Sequence, residues 1–245
     1  MAKKPRSPEE ILQPFLDDLT GVFGSDIVSV YLFGSAARGD YDAERSDINF
    51  LVVLTEEAME RFEQAAPLVK KWAKRGLAVP LFLTRDYIES SLDSFPIEFL
   101  NIKLAHRHLY GLDFIRDLQI GKEALRLKCE EQVKSKLLHL RNGVLTAWDD
   151  ARNMEVFLAM TVPTFLSLFR VLLALNDEEP PKESKAIFQE TAELYQLDEG
   201  VFDRLLQLRS KSRKFTFSEI HALAKDLIAQ INYLAEFVDQ WKTLE

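Results

Sequence analysis

A small α+β domain built on a mixed sheet, followed by an all-α helical bundle, is the fold class this sequence predicts. Three observations point there. Seven of the nine glycines fall before residue 122, which concentrates turns in the first half of the 245-residue chain. Up to about residue 111, short runs dense in β-branched and aromatic residues alternate with helical periods. From Lys122 onward every periodic segment has helical spacing. The predicted boundaries are 1–118 for the α+β domain and 119–245 for the bundle.

The first helix is announced by Ser7-Pro8-Glu9-Glu10: a serine at the N-cap, a proline at the first helical position and a glutamate three residues after the cap. Ile11, Phe15, Leu16 and Leu19 give it an apolar face, and Gly24-Ser25-Asp26 ends the pattern. Residues 27–33 then read as a strand, and a glycine-containing loop over 34–46 leads to a second at 47–54. On that second strand Ile48, Phe50, Val52 and Leu54 share one face, while Asp47 and Asn49 share the other. A charged helix is expected over 56–75. The continuous apolar run at 77–84 predicts a third strand buried on both faces, with Pro80 making it an edge or bulged strand. Helical residues at 86–104 and a short strand at 106–110 complete the domain.

Beyond it, helices are predicted at 122–148, 152–175, 183–196, 200–212 and 217–242, with Pro180-Pro181 as the clearest break. Thr216 and Glu219 form a second capping box. The stretch 156–175 is long and apolar enough to imitate a membrane span, yet Thr161, Pro163, Thr164, Ser167 and Arg170 interrupt it. A helix buried at the centre of a bundle is the reading that fits, with no membrane partner.

Composition narrows the function. The net charge is −8 at 47% hydrophobic content, and residues 1–121 carry 14 basic against 19 acidic side chains, so neither half is a polycationic nucleic-acid binder. A single cysteine, Cys129, excludes an internal disulfide and any Cys-rich zinc module, and suits the reducing cytoplasm. The start of the chain leads into an acidic amphipathic stretch, not the apolar run of a secretory signal.

The informative stretch is Gly34-Ser35-Ala36-Ala37-Arg38-Gly39, then a spacer, then Ser46-Asp47-Ile48-Asn49 at the start of a strand. A Gly-Ser pair leaving a strand lets backbone approach a phosphate closely, offering N–H groups and a hydroxyl. Carboxylates at i and i+2 of the next strand point the same way and grip one or two Mg²⁺ ions that bridge a triphosphate and an attacking oxygen. Here the first position is Asp47 and the second is Asn49.

At these residues the chain resembles the DNA polymerase β-like nucleotidyltransferase superfamily, whose motif is an apolar residue, Gly-Ser, a spacer of about ten residues and Asp-apolar-Asp in a strand. Gly34, Ser35, Arg38, Gly39, Ser46 and Asp47 fit that pattern. A compact catalytic domain followed by helices is similar to the aminoglycoside nucleotidyltransferases of the kanamycin and streptomycin type. The resemblance implies a nucleotide site at Gly34, Ser35, Arg38 and Ser46, with Asp47 catalytic and Mg²⁺ held by Asp47 and Asn49. Its partners would be a nucleoside triphosphate and a small-molecule or protein acceptor.

The departures from the family pattern are equally specific. Asn49 is neutral where a second carboxylate is expected, and the strand at 77–84 offers no third acid. Asp40, Asp42 and Glu44 lie in the loop, and Glu98 or Glu155 are the acids that could enter the cleft, from this chain or from the second copy of a homodimer. His106 and His108 alternate on a strand without a third metal ligand at matching spacing. Arg209, Lys211, Arg213 and Lys214 read as a solvated interhelical loop. Two functions stand: transfer of a nucleoside monophosphate to a small hydroxyl-bearing acceptor or a protein, or a catalytically degenerate relative that acts as a nucleotide-binding or protein-interaction module of regulatory or antitoxin-like type.

Overall fold

The computed structural model describes residues 5–39, 41–43 and 46–240. The chain divides into two compact units, one ending at Ile120 and the other beginning at Gly121. In the first unit, α1 (Glu9–Phe23) begins one residue later than its capping signal suggests. The Ser7 hydroxyl accepts the Glu9 N–H at 3.2 Å, and the Glu10 carboxylate accepts the Arg6 N–H at 3.1 Å. After Gly24, whose φ of +56° stops the helix, come β1 (Ile27–Phe33), the one-turn α2 (Ser35–Arg38) and β2 (Asn49–Leu54).

The single helix expected over 56–75 is instead α3 (Glu56–Met59), a 3₁₀ turn at Phe62–Ala65 and α4 (Ala66–Ala73). Pro67 marks the break: it has no N–H to continue the ladder and sits in the first turn of α4, the position that suits it best. Next comes β3 (Leu81–Thr84), shorter than the predicted 77–84 because Pro80 cannot donate to a ladder. Leu77 still makes an isolated parallel bridge to Ile48. Pro96 likewise divides the predicted 86–104 helix into α5 (Arg85–Ser90) and α6 (Pro96–Leu104), and β4 (His106–Gly111) follows.

The four strands form one mixed sheet in the order β3-β2-β1-β4, with β1 antiparallel to both of its neighbours and β2 parallel to β3. Strand β3 lies at the edge with Leu81 exposed, which overturns the expectation of burial on both faces. Alternation on β1 and β2 separates two apolar layers. Leu32, Phe50 and Val52 pack with Phe15 and Leu19 of α1 and Trp72 of α4, where the Phe15 and Phe50 rings lie 4.4 Å apart and the Trp72 indole donates to Asp18 at 2.8 Å. Tyr31, Leu51 and Val53 pack on the opposite face with Ile88, Phe99, Ile102 and Ile115.

The second unit is helical throughout: α7 (Lys122–Thr146), α8 (Ala151–Leu175), α9 (Ser184–Tyr195), α10 (Glu199–Ser210) and α11 (Phe217–Gln240). Side chains cap both α8 and α11, the latter with the box predicted at Thr216 and Glu219. Asp150 accepts the Arg152 and Asn153 amides, and at α11 the Thr216 hydroxyl accepts the Glu219 amide while the Glu219 carboxylate accepts that of Thr216. That backbone hydrogen bond holds the Glu219 carboxyl below its ordinary value. Helix α8 is long and apolar enough to cross a bilayer, but half of its most apolar window is buried among the other helices. Its Phe169 meets Phe188 and Phe202 at ring separations of 5.5 and 5.4 Å. Where α7 meets α8, Phe157 lies so close to Gly143 that an added Cβ would fall 2.0 Å from the ring.

Candidate nucleotide site

The site is built where β1 ends and β2 begins. Phe33 pairs directly with Asn49, so the chain leaving β1 turns beside the first residue of β2. The turn is made by Gly34, at φ +77° and ψ −150°, a region that only glycine occupies without strain. Its carbonyl accepts the amides of Ala37 and Arg38 at 3.0 and 3.1 Å, closing the short helix α2. Gly39 ends that helix at φ +91°, and the buried Ala36 anchors it to the α1 layer. The Gly34 N–H is already committed: it donates to the Ala105 carbonyl at 3.0 Å. The amides of Ala37, Arg38 and Gly39 are committed within α2, so the backbone donors left to the turn are those of Ser35 and Ala36.

Asn49 stands against this turn, and its Nδ2 would be 3.5 Å from a Cβ on Gly34. Nδ2 also lies 3.4 Å from the Asp47 carbonyl, a long hydrogen bond that turns the amide group toward its own chain. The Asp47 side chain is exposed, and the residue precedes the strand instead of belonging to it. Asp47 and Asn49 are thus two residues apart, next to the turn, on the sheet face opposite Phe50 and Val52. Ser46 closes the preceding loop: its amide donates to the Asp42 carbonyl at 2.7 Å, and its hydroxyl accepts the Asp42 amide at 3.2 Å. Arg38 is half-buried at the end of α2.

The acids are spread widely. Glu98 is exposed on α6, and Glu155 lies on α8 in the helical unit. Asp40 and Glu44 lie outside the described residues. Val79 is exposed and Pro80 buried just ahead of β3, so that segment brings no carboxylate. Among the described residues, no three His, Cys, Asp or Glu side chains converge on a point where a metal ion could sit. Magnesium is commonly held by one or two carboxylates together with waters and substrate phosphates. One carboxylate from Asp47 and one amide oxygen from Asn49 fit a single ion that arrives with a triphosphate; they do not fit a two-ion centre.

Sequence reasoning passed over one neighbouring group. His106 is almost fully buried, with 6% of its side chain exposed, and its Nε2 lies 4.0 Å from Oδ1 of Asp113. The edge of the Tyr31 ring meets His106 at 5.6 Å. The alternation of His106 and His108 was a signal for this cluster, but Asp113 falls outside it.

Comparison with known proteins bears on the family and the fold. A family model described as a nucleotidyltransferase domain matches residues 12–106. A protein named "Putative protein adenylyltransferase" from Methanocaldococcus jannaschii is 31% identical over 75 residues, covering 31% of this chain and 73% of that relative. Among solved structures, spectinomycin adenyltransferase AAD(9) from Enterococcus faecialis, crystallised with ATP and spectinomycin, superposes with a TM-score of 0.52 at 14% identity, over 92% of this chain and 99% of the other. That likeness is one of fold. The identity to the archaeal relative runs over most of that protein's length, and on it the chain belongs to the DNA polymerase β-like nucleotidyltransferase superfamily.

Proposed function

We propose that this protein binds a nucleoside triphosphate at the Gly34–Ser35 turn and transfers its nucleoside monophosphate to a hydroxyl of a small molecule or a protein, releasing pyrophosphate. The observation that supports the reading is the proximity of Gly34 to Asn49, which sets the glycine turn beside the strand start that bears Asp47. The Ser35 hydroxyl and the amides of Ser35 and Ala36 would take phosphate oxygens, with Arg38 and Ser46 flanking them. Asp47, assisted by the Asn49 amide oxygen, would hold the magnesium that accompanies the triphosphate; that ion supplies charge neutralisation as pyrophosphate departs. The names of the two relatives support adenosine triphosphate as the donor, and one points to each class of acceptor. The setting proposed is the cytoplasm, without membrane or nucleic-acid partner, and a homodimer is one way to bring in a further acid.

The missing acids favour a second reading, a degenerate nucleotide-binding or protein-interaction module: Asn49 is neutral and the Val79-Pro80 segment carries no carboxylate. One pair of measurements separates the two. Under the transfer reading, ATP with Mg²⁺ raises the melting temperature, and pyrophosphate is released when aminoglycoside or protein acceptors are added; Asp47→Ala removes both effects. A thermal shift without pyrophosphate release against any acceptor establishes the module. No shift at millimolar nucleotide refutes both uses of the turn.

A further inference from the structure

The Gly34 turn is fastened from behind by a residue far downstream. Its N–H donates to the carbonyl of Ala105 at 3.0 Å. Ala105 is the residue at which α6 ends, at φ −139° and ψ +62°, and its own amide is shared between the carbonyls of Asn101 and Ile102 at 3.1 and 3.2 Å. The next side chain, His106, folds back over the same helix end: Nδ1 lies 2.9 Å from the Lys103 carbonyl and 3.2 Å from that of Ile102. Carbonyl oxygens only accept, so Nδ1 carries the hydrogen.

The other edge of the ring is fixed as well. The Tyr31 hydroxyl donates to the Leu112 carbonyl at 2.8 Å and accepts the Phe114 amide at 3.0 Å, which pins the backbone on both sides of Asp113. Asp113 is thereby aimed at Nε2, and Nε2 and Asp113 Oδ1 are buried without a hydrogen-bond partner among the described residues. A half-turn of the imidazole would set a carbon against two carbonyls, so the ring has one orientation.

We propose that His106 is a positioning residue for the phosphate-binding turn. By capping the last carbonyls of α6 through Nδ1, it fixes the direction of the Ala105 carbonyl, which holds the Gly34 N–H and keeps the turn against Asn49. The inference rests on reading that turn as the nucleotide site, and its test separates the two. His106→Asn keeps a donor close to the place of Nδ1, whereas His106→Gln moves its amide toward the place of Nε2 and leaves the helix end uncapped.

Two quantities are read: hydrogen exchange at the Gly34 amide, and the affinity for ATP with Mg²⁺ by calorimetry. His106→Gln should speed Gly34 exchange and weaken nucleotide binding by about three- to tenfold, the factor that one hydrogen bond is worth. His106→Asn should stay close to the unmodified protein in both. Equal Gly34 exchange in the two variants overturns the proposal. So does rapid exchange of that amide in the unmodified protein, a result that needs no variant to fold. Absence of nucleotide binding by the unmodified protein overturns the site reading instead, while the exchange comparison still decides the role of His106.

Discussion

Gly34 lies beside Asn49, next to the Phe33–Asn49 pair that ends the β1–β2 ladder: a Cβ on the glycine would sit 3.5 Å from the asparagine nitrogen. That separation is ordinary van der Waals contact, so space is not what demands glycine at this position. The demand is the backbone, at φ +77°. Gly34→Ala is therefore expected to destabilise the first unit by about 1–3 kcal/mol through strain alone. It should also abolish the stabilisation by ATP with Mg²⁺, because the relaxed turn moves away from Asn49. Thermal denaturation with and without nucleotide checks both effects; an unchanged nucleotide shift would show that the turn's geometry is not needed for binding.

Asn49→Asp restores the second carboxylate on a strand face that already positions the side chain. Magnesium and nucleotide affinity should rise together, by about tenfold for one added charge near the ion. Transfer should gain less, since no third acid comes with the change. Calorimetric titration beside a pyrophosphate assay separates the two quantities. Equal gains in binding and turnover would mean that charge at residue 49 was the sole deficiency.

In the helical unit, Gly143 and Phe157 form a testable pair. A Cβ on Gly143 would fall 2.0–2.6 Å from three ring atoms of Phe157, so Gly143→Ala must displace the ring. Overpacking of this kind costs about 1–3 kcal/mol, partly offset by alanine's helix preference of about 1 kcal/mol over glycine. Adding Phe157→Ala to Gly143→Ala should recover that overpacking loss, and a double-mutant cycle on thermal stability should give a coupling of about 1 kcal/mol or more. Additive effects would mean that the ring swings aside freely.

Acid should loosen the tie between α1 and β4. The Ser7 hydroxyl, the residue's own amide and the Arg107 guanidinium, 2.9 Å away, bring the Glu9 carboxyl from 4.5 down to about 2. A value lowered on folding contributes stability that is present above pH 4.5 and is lost as pH falls toward 2. Glu9 is well exposed, so the contribution is below about 1 kcal/mol. Melting temperatures of the native protein and Glu9→Gln should differ at pH 6 and converge by about pH 2.5; a constant gap would assign the difference to packing.

How much of this was legible in the sequence depended on how local the signal was. The first four bundle helices fall within two residues of their predicted ends and α11 starts at its predicted residue, behind the Thr216–Glu219 box that acts on its own first turn; the predicted end at 242 lies outside the described residues. The two helices broken by Pro67 and Pro96 were misread because their apolar periods run on through the prolines. The exposure of Leu81 follows from sheet order, which no single strand encodes. At the site, the sequence motif named Gly34 and Asn49, and the structure sets them side by side. The fastening of Gly34 by Ala105 and the aim of Asp113 at His106 were invisible, because both arise only when β4 pairs with β1.

The position of β1 between β2 and β4 also imposes an order of events on a chain made from its N-terminus. Phe33 finds Asn49 soon after both leave the ribosome, but its other neighbour, His106, is synthesised much later. In the interval the free side of β1 is an unpaired edge of apolar residues, open to pairing with another nascent chain. A fragment ending before Ala105 would keep that edge permanently and also lack the carbonyl that holds Gly34, so truncation there should give aggregation instead of a smaller folded unit. The Gly34 turn is completed by the residue that leads into the last strand of its own sheet, which makes its final geometry a late product of synthesis.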